Sequence, residues 1–358
     1  MMLECQTATD KPEERLNELL SYHYGLVLRK VSPAPRGWLL ETNRGVFTLS
    51  RVEKMDATYW SMVDHLLNHM RERGLTQLPR LIRTQQGRLA FNGFYSRYLL
   101  WDNLQGKRCN WSQPETWAAV GKALAYIHKA SRDFIPEEAY GRFTAAGKWS
   151  TLWNRNLKLM DTIGKACDLS ANPRSVDRLW LNIHTYATTL IETALHYLEQ
   201  LGGDETVWGY TKNGIVSQHY LNRHSWGTNA SGVYTLIDWD HTVLDVRVRD
   251  LAQMIHLAYG DKKTFSERVR LLLENYQSIH PLQEAEWPFL YVRLLFPEQL
   301  VKTARNVYEK HTISEDDAAR VLERVIEDQH RREYHLRYIP RLLKDMAHIS
   351  IPEVDWLK

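Results

Sequence analysis

The sequence predicts an α+β protein of two lobes, a small β-rich one followed by a larger, mainly helical one. Three observations carry that expectation. Between Tyr24 and Val52 the chain breaks into short β-type runs punctuated by turn residues, and a further hairpin signal comes before residue 102. Beyond Trp101 apolar residues recur at helical spacing over long segments. One strand-like island, residues 215–240, interrupts those helices.

In chain order, Asp10 followed three residues later by Glu13 reads as a capping box with Pro12 in the first turn, and Leu16, Leu19 and Leu20 give the apolar stripe of a short helix. Residues 25–31, 37–42 and 46–52 then read as an antiparallel meander, separated by a Ser-Pro-Ala-Pro-Arg-Gly run and by Asn43-Arg44-Gly45. A helix is expected over 57–73, with Trp60, Val63, Leu66, Leu67 and Met70 on one face. Strands at 88–91 and 94–100 flank Asn92-Gly93, a two-residue hairpin signal. Helices follow over 114–129, 149–163 and 176–201. A second hairpin has residues 233–238 as its later strand. Helices resume at Arg249, and one of them is capped by Ser314 with Asp317 three residues on and turns Val321, Leu322, Val325 and Ile326 inward. The lobes are expected to be residues 1–102 and 103–358, dividing near 101–106.

Composition narrows the function. A chain of 358 residues with 44% hydrophobic and 25% charged residues is an ordinary globular protein, not a disordered, collagenous or coiled-coil one. The formal charge of +3 comes from basic residues spread along the chain, which weighs against a dedicated nucleic-acid binder. The longest apolar stretches, such as 289–296 with Arg293 inside it, fall short of the ~20 residues that span a bilayer. The opening MMLECQTATDKPEERL lacks the features of a signal peptide, so a cytosolic origin is expected. Cys5, Cys109 and Cys167 are too few and too widely spaced for a disulfide framework or a zinc site. The thirteen Trp, among them Trp101, Trp149, Trp153, Trp226 and Trp239, are expected in the core or between the lobes.

A small β lobe joined to a helical lobe with an inset hairpin is the layout of the protein-kinase-like bilobal fold. Residues 118–134, AAVGKALAYIHKASRDF, resemble the "ALAxxHxAS" helix of the spore coat protein S (CotS) family, a branch of the aminoglycoside and choline phosphotransferase-like kinases. Residues 217–252 resemble that family's catalytic loop, hairpin, metal-binding Asp and "RDLA" helix start, and Leu294 to Pro297, LLFP, its later "LxFP" element. IDWD and RDLA, in order and at the right spacing, are the most specific parts.

Phosphoryl transfer needs a Lys on the nucleotide phosphates, a metal held by an Asp and an Asn, and an Asp that orients the attacking hydroxyl. The resemblance places the Lys at Ser50, in Thr48-Leu49-Ser50-Arg51-Val52; the adjacent Arg51 points to the other face unless the strand slips by one. It places the catalytic Asp at His219 and the metal-ligand Asn at His224, although a local deletion would bring Asn222 into that position. Asp238 matches the metal-binding Asp, Asp250 matches a structural Asp that braces the catalytic loop, and Tyr98, Leu100 and Trp101 fall at the purine pocket. The resemblance therefore implies a pseudokinase with a structural or assembly role in the endospore coat. It would be made in the mother-cell cytosol and engage other coat proteins, with no cofactor, nucleic acid or membrane insertion. Two alternatives stay open: a small-molecule phosphotransferase for an amino sugar, choline or homoserine, using ATP and magnesium with His219 as general base, and a nucleotide-binding module without turnover. His219, His224 and Asp238, if they meet, suit zinc or another transition metal better than magnesium.

Overall fold

The computed structural model describes residues 13–34, 37–52, 56–102, 107–229, 231–260, 262–351 and 354. The first lobe is built on β1 (Leu28–Ala34), β2 (Gly37–Thr42), β3 (Gly45–Arg51), β4 (Arg80–Ile82), β5 (Ala90–Asn92) and β6 (Arg97–Asp102), in the spatial order β1-β2-β3-β6-β4 with β5 also on β6. Every pairing in it is antiparallel. Because strand side chains alternate, the sheet has two apolar faces. Leu49, Tyr98 and Leu100 pack with Leu16 and Leu20 of α1 (Leu16–Tyr24). Leu99 and Trp101 pack with Trp60, Val63 and Leu67 of α2 (Ala57–Glu72), whose first turn is capped by the Asp56 carboxylate accepting from the amides of Thr58 and Tyr59.

Two local expectations fail here for one reason. Asp10 and Pro12 of the expected capping box lie outside the described residues, and Glu13 does not cap α1. Its buried carboxylate instead accepts from the amides of Phe94 (3.1 Å), Tyr95 (2.8 Å) and Ser96 (3.2 Å) and from the Tyr98 hydroxyl (2.9 Å). A tight Asn92-Gly93 turn would pair Phe91 with Phe94, whereas Asn92 pairs with Arg97 and residues 93–96 form a longer loop wrapped around Glu13. β1 also begins later than expected, and the three-residue β4 was too short to show a pattern.

The expected lobe junction falls partly on residues 103–106, outside the described residues. The next strand, β7 (Lys107–Arg108), already belongs to the second lobe, in a sheet ordered β10-β9-β7 with β9 (Trp226–Thr228) and β10 (Tyr234–Leu236). A further pair, β8 (Val216–Gln218) with β11 (Thr242–Leu244), carries the loop of interest. Around these strands lie α3 (Pro114–Ala130), α4 (Trp149–Asp168), α5 (Ser175–Gln200), α6 (Gly203–Gly209), α7 (Val248–Leu257), α8 (Lys262–Gln277), α9 (Glu286–Leu295), α10 (Glu298–Tyr308) and α11 (Glu315–Ala347). The α3–α8 contact is close enough to require glycine: a Cβ on Gly121 would lie 2.3 Å from the Leu272 carbonyl oxygen. Ser314 caps α11 as expected, with its hydroxyl accepting from the Asp317 amide. Trp101, Trp149, Trp153, Trp226 and Trp239 are all core residues. Among the described residues Cys109 and Cys167 are free thiols, while Cys5 lies outside them, and no helix is long and apolar enough to cross a membrane.

Candidate functional site

The loop after β8 is held from below by α7 and α3. Asp250, on the first turn of α7, is buried and accepts from the Ser217 hydroxyl (2.6 Å) and the Gln218 amide (2.8 Å). One turn on, Gln253 donates to the Gln218 carbonyl (2.7 Å) and accepts from the Leu221 amide (2.7 Å). The second Asp250 oxygen meets His128 Nε2 at 3.3 Å, and His128 Nδ1 meets the Tyr276 hydroxyl at 2.9 Å. A carboxylate only accepts, so the imidazole proton sits on Nε2 and Tyr276 donates to Nδ1. Burial pushes the His128 pKa down, which keeps the ring neutral. Ser131, three residues along the same helix, donates to the His128 carbonyl and accepts from the Val216 amide. The His-x-x-Ser spacing inside the quoted motif was the signal for this support, but its partners could not be read from sequence. Gly214 completes it: φ is +137° there, and a Cβ would sit 2.7 Å from the His128 carbonyl oxygen.

Ser50 lies on the α2 side of β3, paired with Leu99 in an unbroken register, so the one-residue slip that would turn Arg51 inward does not occur. Arg51 lies on the opposite face, with its guanidinium 5.4 Å from the Trp38 ring. Ser50 is buried, and its hydroxyl accepts from the Trp101 indole at 2.9 Å. The Trp101 ring in turn packs edge-on against Trp60. Tyr98, Leu100 and Trp101, expected to line a purine pocket, are all buried in packing: Tyr98 bonds Glu13, Leu100 lies in the α1-side core, and Trp101 covers Ser50.

Asp238 follows β10 and is buried, with its carboxylate accepting from the Asp240 amide at 3.1 Å. α2 reaches this segment too, since the Tyr59 hydroxyl donates to the carbonyl of Trp239 at 3.1 Å. The His219 amide donates to the His241 carbonyl (2.7 Å), so the loop and the Asp238 segment run side by side. His219 Nδ1 lies 3.3 Å from a guanidinium nitrogen of Arg249, and since guanidinium only donates, Nδ1 accepts and the proton sits on Nε2. Arg249 is anchored by Asp245 at 2.9 Å and by the Gln218 carbonyl at 3.2 Å. His224 is exposed. Asn222, the alternative metal ligand, is spent as a cap on the turn at 223–225, accepting from the His224 amide at 2.7 Å. The transition-metal idea fails on this geometry, because among the described residues no three His, Cys, Asp or Glu side chains come together to hold a metal.

The family model described as "Spore coat putative kinase YutH" matches residues 17–339, nearly the whole of both lobes. The chain belongs to this family. Among its relatives, "Endospore coat-associated protein YutH" of Bacillus subtilis is 24% identical over 345 residues, covering 93% of this chain and 96% of that one. "Spore coat protein S" of the same organism is 23% identical over 347 residues, 93% and 95% of the two chains. Both the YutH family and the CotS resemblance thus point to one group. Among solved structures, an aminoglycoside phosphotransferase from Alicyclobacillus acidocaldarius superposes with a TM-score of 0.67 at 15% identity, over 96% of this chain and 99% of that one. The fold is therefore that of the kinase-like phosphotransferases, here in a spore coat family.

Proposed function

We propose that this YutH-family chain is a component of the endospore coat that keeps the kinase-like fold without phosphoryl transfer and acts through structure or assembly. One observation carries the reading: the groups standing where the Lys and the catalytic Asp belong are engaged in structural bonds, Ser50 with Trp101 and His219 with Arg249. Phosphoryl transfer is positioning and electrostatic stabilisation. No amine stands at position 50 to meet phosphates, and of the two metal-ligand positions the resemblance assigns only Asp238 keeps an oxygen ligand, where magnesium needs several. ATP and magnesium do not suit this residue set. As a general base His219 would have to use Nε2, the nitrogen that carries the proton.

The coat assignment follows from family membership and from relatives whose names place them in the coat. It carries with it other coat proteins as partners and synthesis in the mother cell. The word kinase in the family description keeps phosphotransfer to a small-molecule hydroxyl as the competing reading. A fluorescent fusion in sporulating cells separates the two. Wild type and His219→Ala should reach the coat equally, and purified wild type should turn over no ATP. Mislocalised His219→Ala, or ATP turnover with a defined acceptor, would make the cleft itself functional and overturn the reading.

A further inference from the structure

Among the described residues two apolar features stand open to solvent. The first is the tip of the loop between β5 and β6, where Phe94 and Tyr95 are 60% and 67% exposed. This loop is a rigid mount. The Gly93 amide closes its turn on the Ser96 carbonyl (2.7 Å), and the buried Glu13 carboxylate takes the amides of Phe94, Tyr95 and Ser96 from within. Two adjacent rings held out on a fixed backbone lose little conformational freedom when they are covered, which is what an anchor at a protein interface needs. The Glu14 carboxylate lies beside the Tyr95 hydroxyl and accepts from it, and among the described residues Glu14 forms no ion pair.

The second feature is a cavity of about 500 Å³ where the two lobes meet. Its walls include Leu75 and Leu78 after α2, Ala119, Ala123 and Ile127 along α3, and Val233 before β10. Ala119 and Ala123 lie one turn apart on α3 and carry too little bulk to fill the space above them. Tyr126 and Val233 line the same cavity and are themselves exposed, so large apolar side chains left in water gather here. Lys122, on the same face of α3, also lines it, and among the described residues its ammonium forms no ion pair. Residues 93–96 are not among the walls, so tip and cavity are separate patches.

We propose that the chain binds a second copy of itself head to tail, the Phe94–Tyr95 tip of one copy entering the α3 cavity of the next with Glu14 set against Lys122. Both halves of the contact are on one chain: an exposed aromatic pair beside an unpaired carboxylate, and an open apolar cavity beside an unpaired ammonium. The cavity has the size that takes compact aromatic groups. Because the two patches differ, every pair keeps a free tip at one end and a free cavity at the other, and the contact repeats into longer assemblies. Two aromatic side chains bury roughly 300–500 Å², which puts each joint at the weak end of protein interfaces and makes assembly depend on concentration. This self-association goes beyond the coat reading and does not rest on it, so ATP turnover would leave it standing.

Sedimentation velocity of the purified full chain over a concentration series tests this. The average mass should climb with concentration past that of a dimer. Phe94→Ser with Tyr95→Ser, and separately Ala123→Glu, should each lower the association constant about tenfold or more, the scale of losing an interface anchor. Mixed in equal amounts, the tip variant and the cavity variant should form dimers and stop there, since one intact tip and one intact cavity remain in each mixed pair. Glu14→Lys should weaken association, and adding Lys122→Glu to it should restore association. If Ala123→Glu does not fold, as judged by circular dichroism, the exposed Lys122→Glu serves as the cavity variant. A wild type that stays monomeric or stops at a dimer, association that neither variant weakens, or a mixture that gives no dimers would overturn the proposal.

Discussion

Replacing Asp250 with alanine should remove the acceptor on which the whole loop after β8 rests. The carboxylate is buried and receives the Ser217 hydroxyl at 2.6 Å, the Gln218 amide at 2.8 Å and His128 Nε2 at 3.3 Å. Alanine leaves three buried donors unpaired, each costing about 1–3 kcal/mol. Relief of the carboxylate's own desolvation offsets part of that, so the expected net loss is about 3–5 kcal/mol. Asparagine keeps an acceptor for Ser217 and Gln218. Its amide can also donate to His128 Nε2 if the imidazole proton moves to Nδ1 and is given to Tyr276, so Asp250→Asn should cost only about 1 kcal/mol. Urea unfolding at pH 7, followed by tryptophan fluorescence, measures both. Adding Ser217→Ala to Asp250→Ala should cost less than the sum of the two single losses, because the residues share a bond. An alanine variant within about 1 kcal/mol of wild type, or an asparagine variant as unstable as the alanine one, would refute the bracing argument.

Glu13→Ala should free the loop at 93–96, lower stability by about 2–3 kcal/mol through three unpaired amides, and speed chymotryptic cleavage after the exposed Phe94 and Tyr95; unchanged cleavage would contradict the contact. Gly121→Ala forces backbone apart at α3–α8, and a cost of about 1–3 kcal/mol is expected in the same unfolding assay. Acid should destabilise the fold before carboxylates titrate. Burial lowers the pKa of His280 from 6.5 to about 4 and pushes His128 and His256 down as well. The unfolded chain binds more protons than the native one between those values, so stability present above pH 6.5 is lost as pH falls toward 4. His280→Gln should flatten that loss in melting curves taken at successive pH values, and a stability that rises on acidification across this window would contradict the assignment.

Much of the fold was legible because long periodic segments state their own structure. The helix expected over 149–163 runs Trp149–Asp168, the strand at 37–42 is β2, and Ser314 caps α11 as its sequence says. The Asn92-Gly93 turn was misread because its conformation is set by Glu13, about eighty residues earlier in the chain, and no local pattern reports such a partner. The candidate site divides the same way. The quoted motifs pointed to Ser50 on β3, to His219 and His224 in the loop after β8, and to Asp238 and Asp250 beyond it. What the first two side chains do was invisible: Ser50 is taken up by Trp101 from the neighbouring strand, and His219 by Arg249 from α7.

The absence of a working nucleotide site is the claim on which the account turns, and titration of the purified chain with ATP, with and without magnesium, tests it most directly. A ligand at ten times its Kd stabilises the native state by about 1.4 kcal/mol, enough to read as a melting shift. With Ser50 bonded to Trp101 and no amine at position 50, millimolar ATP should give no magnesium-dependent shift. A saturable, magnesium-dependent shift that Asp238→Asn abolishes would contradict the account and restore the cleft as a nucleotide site.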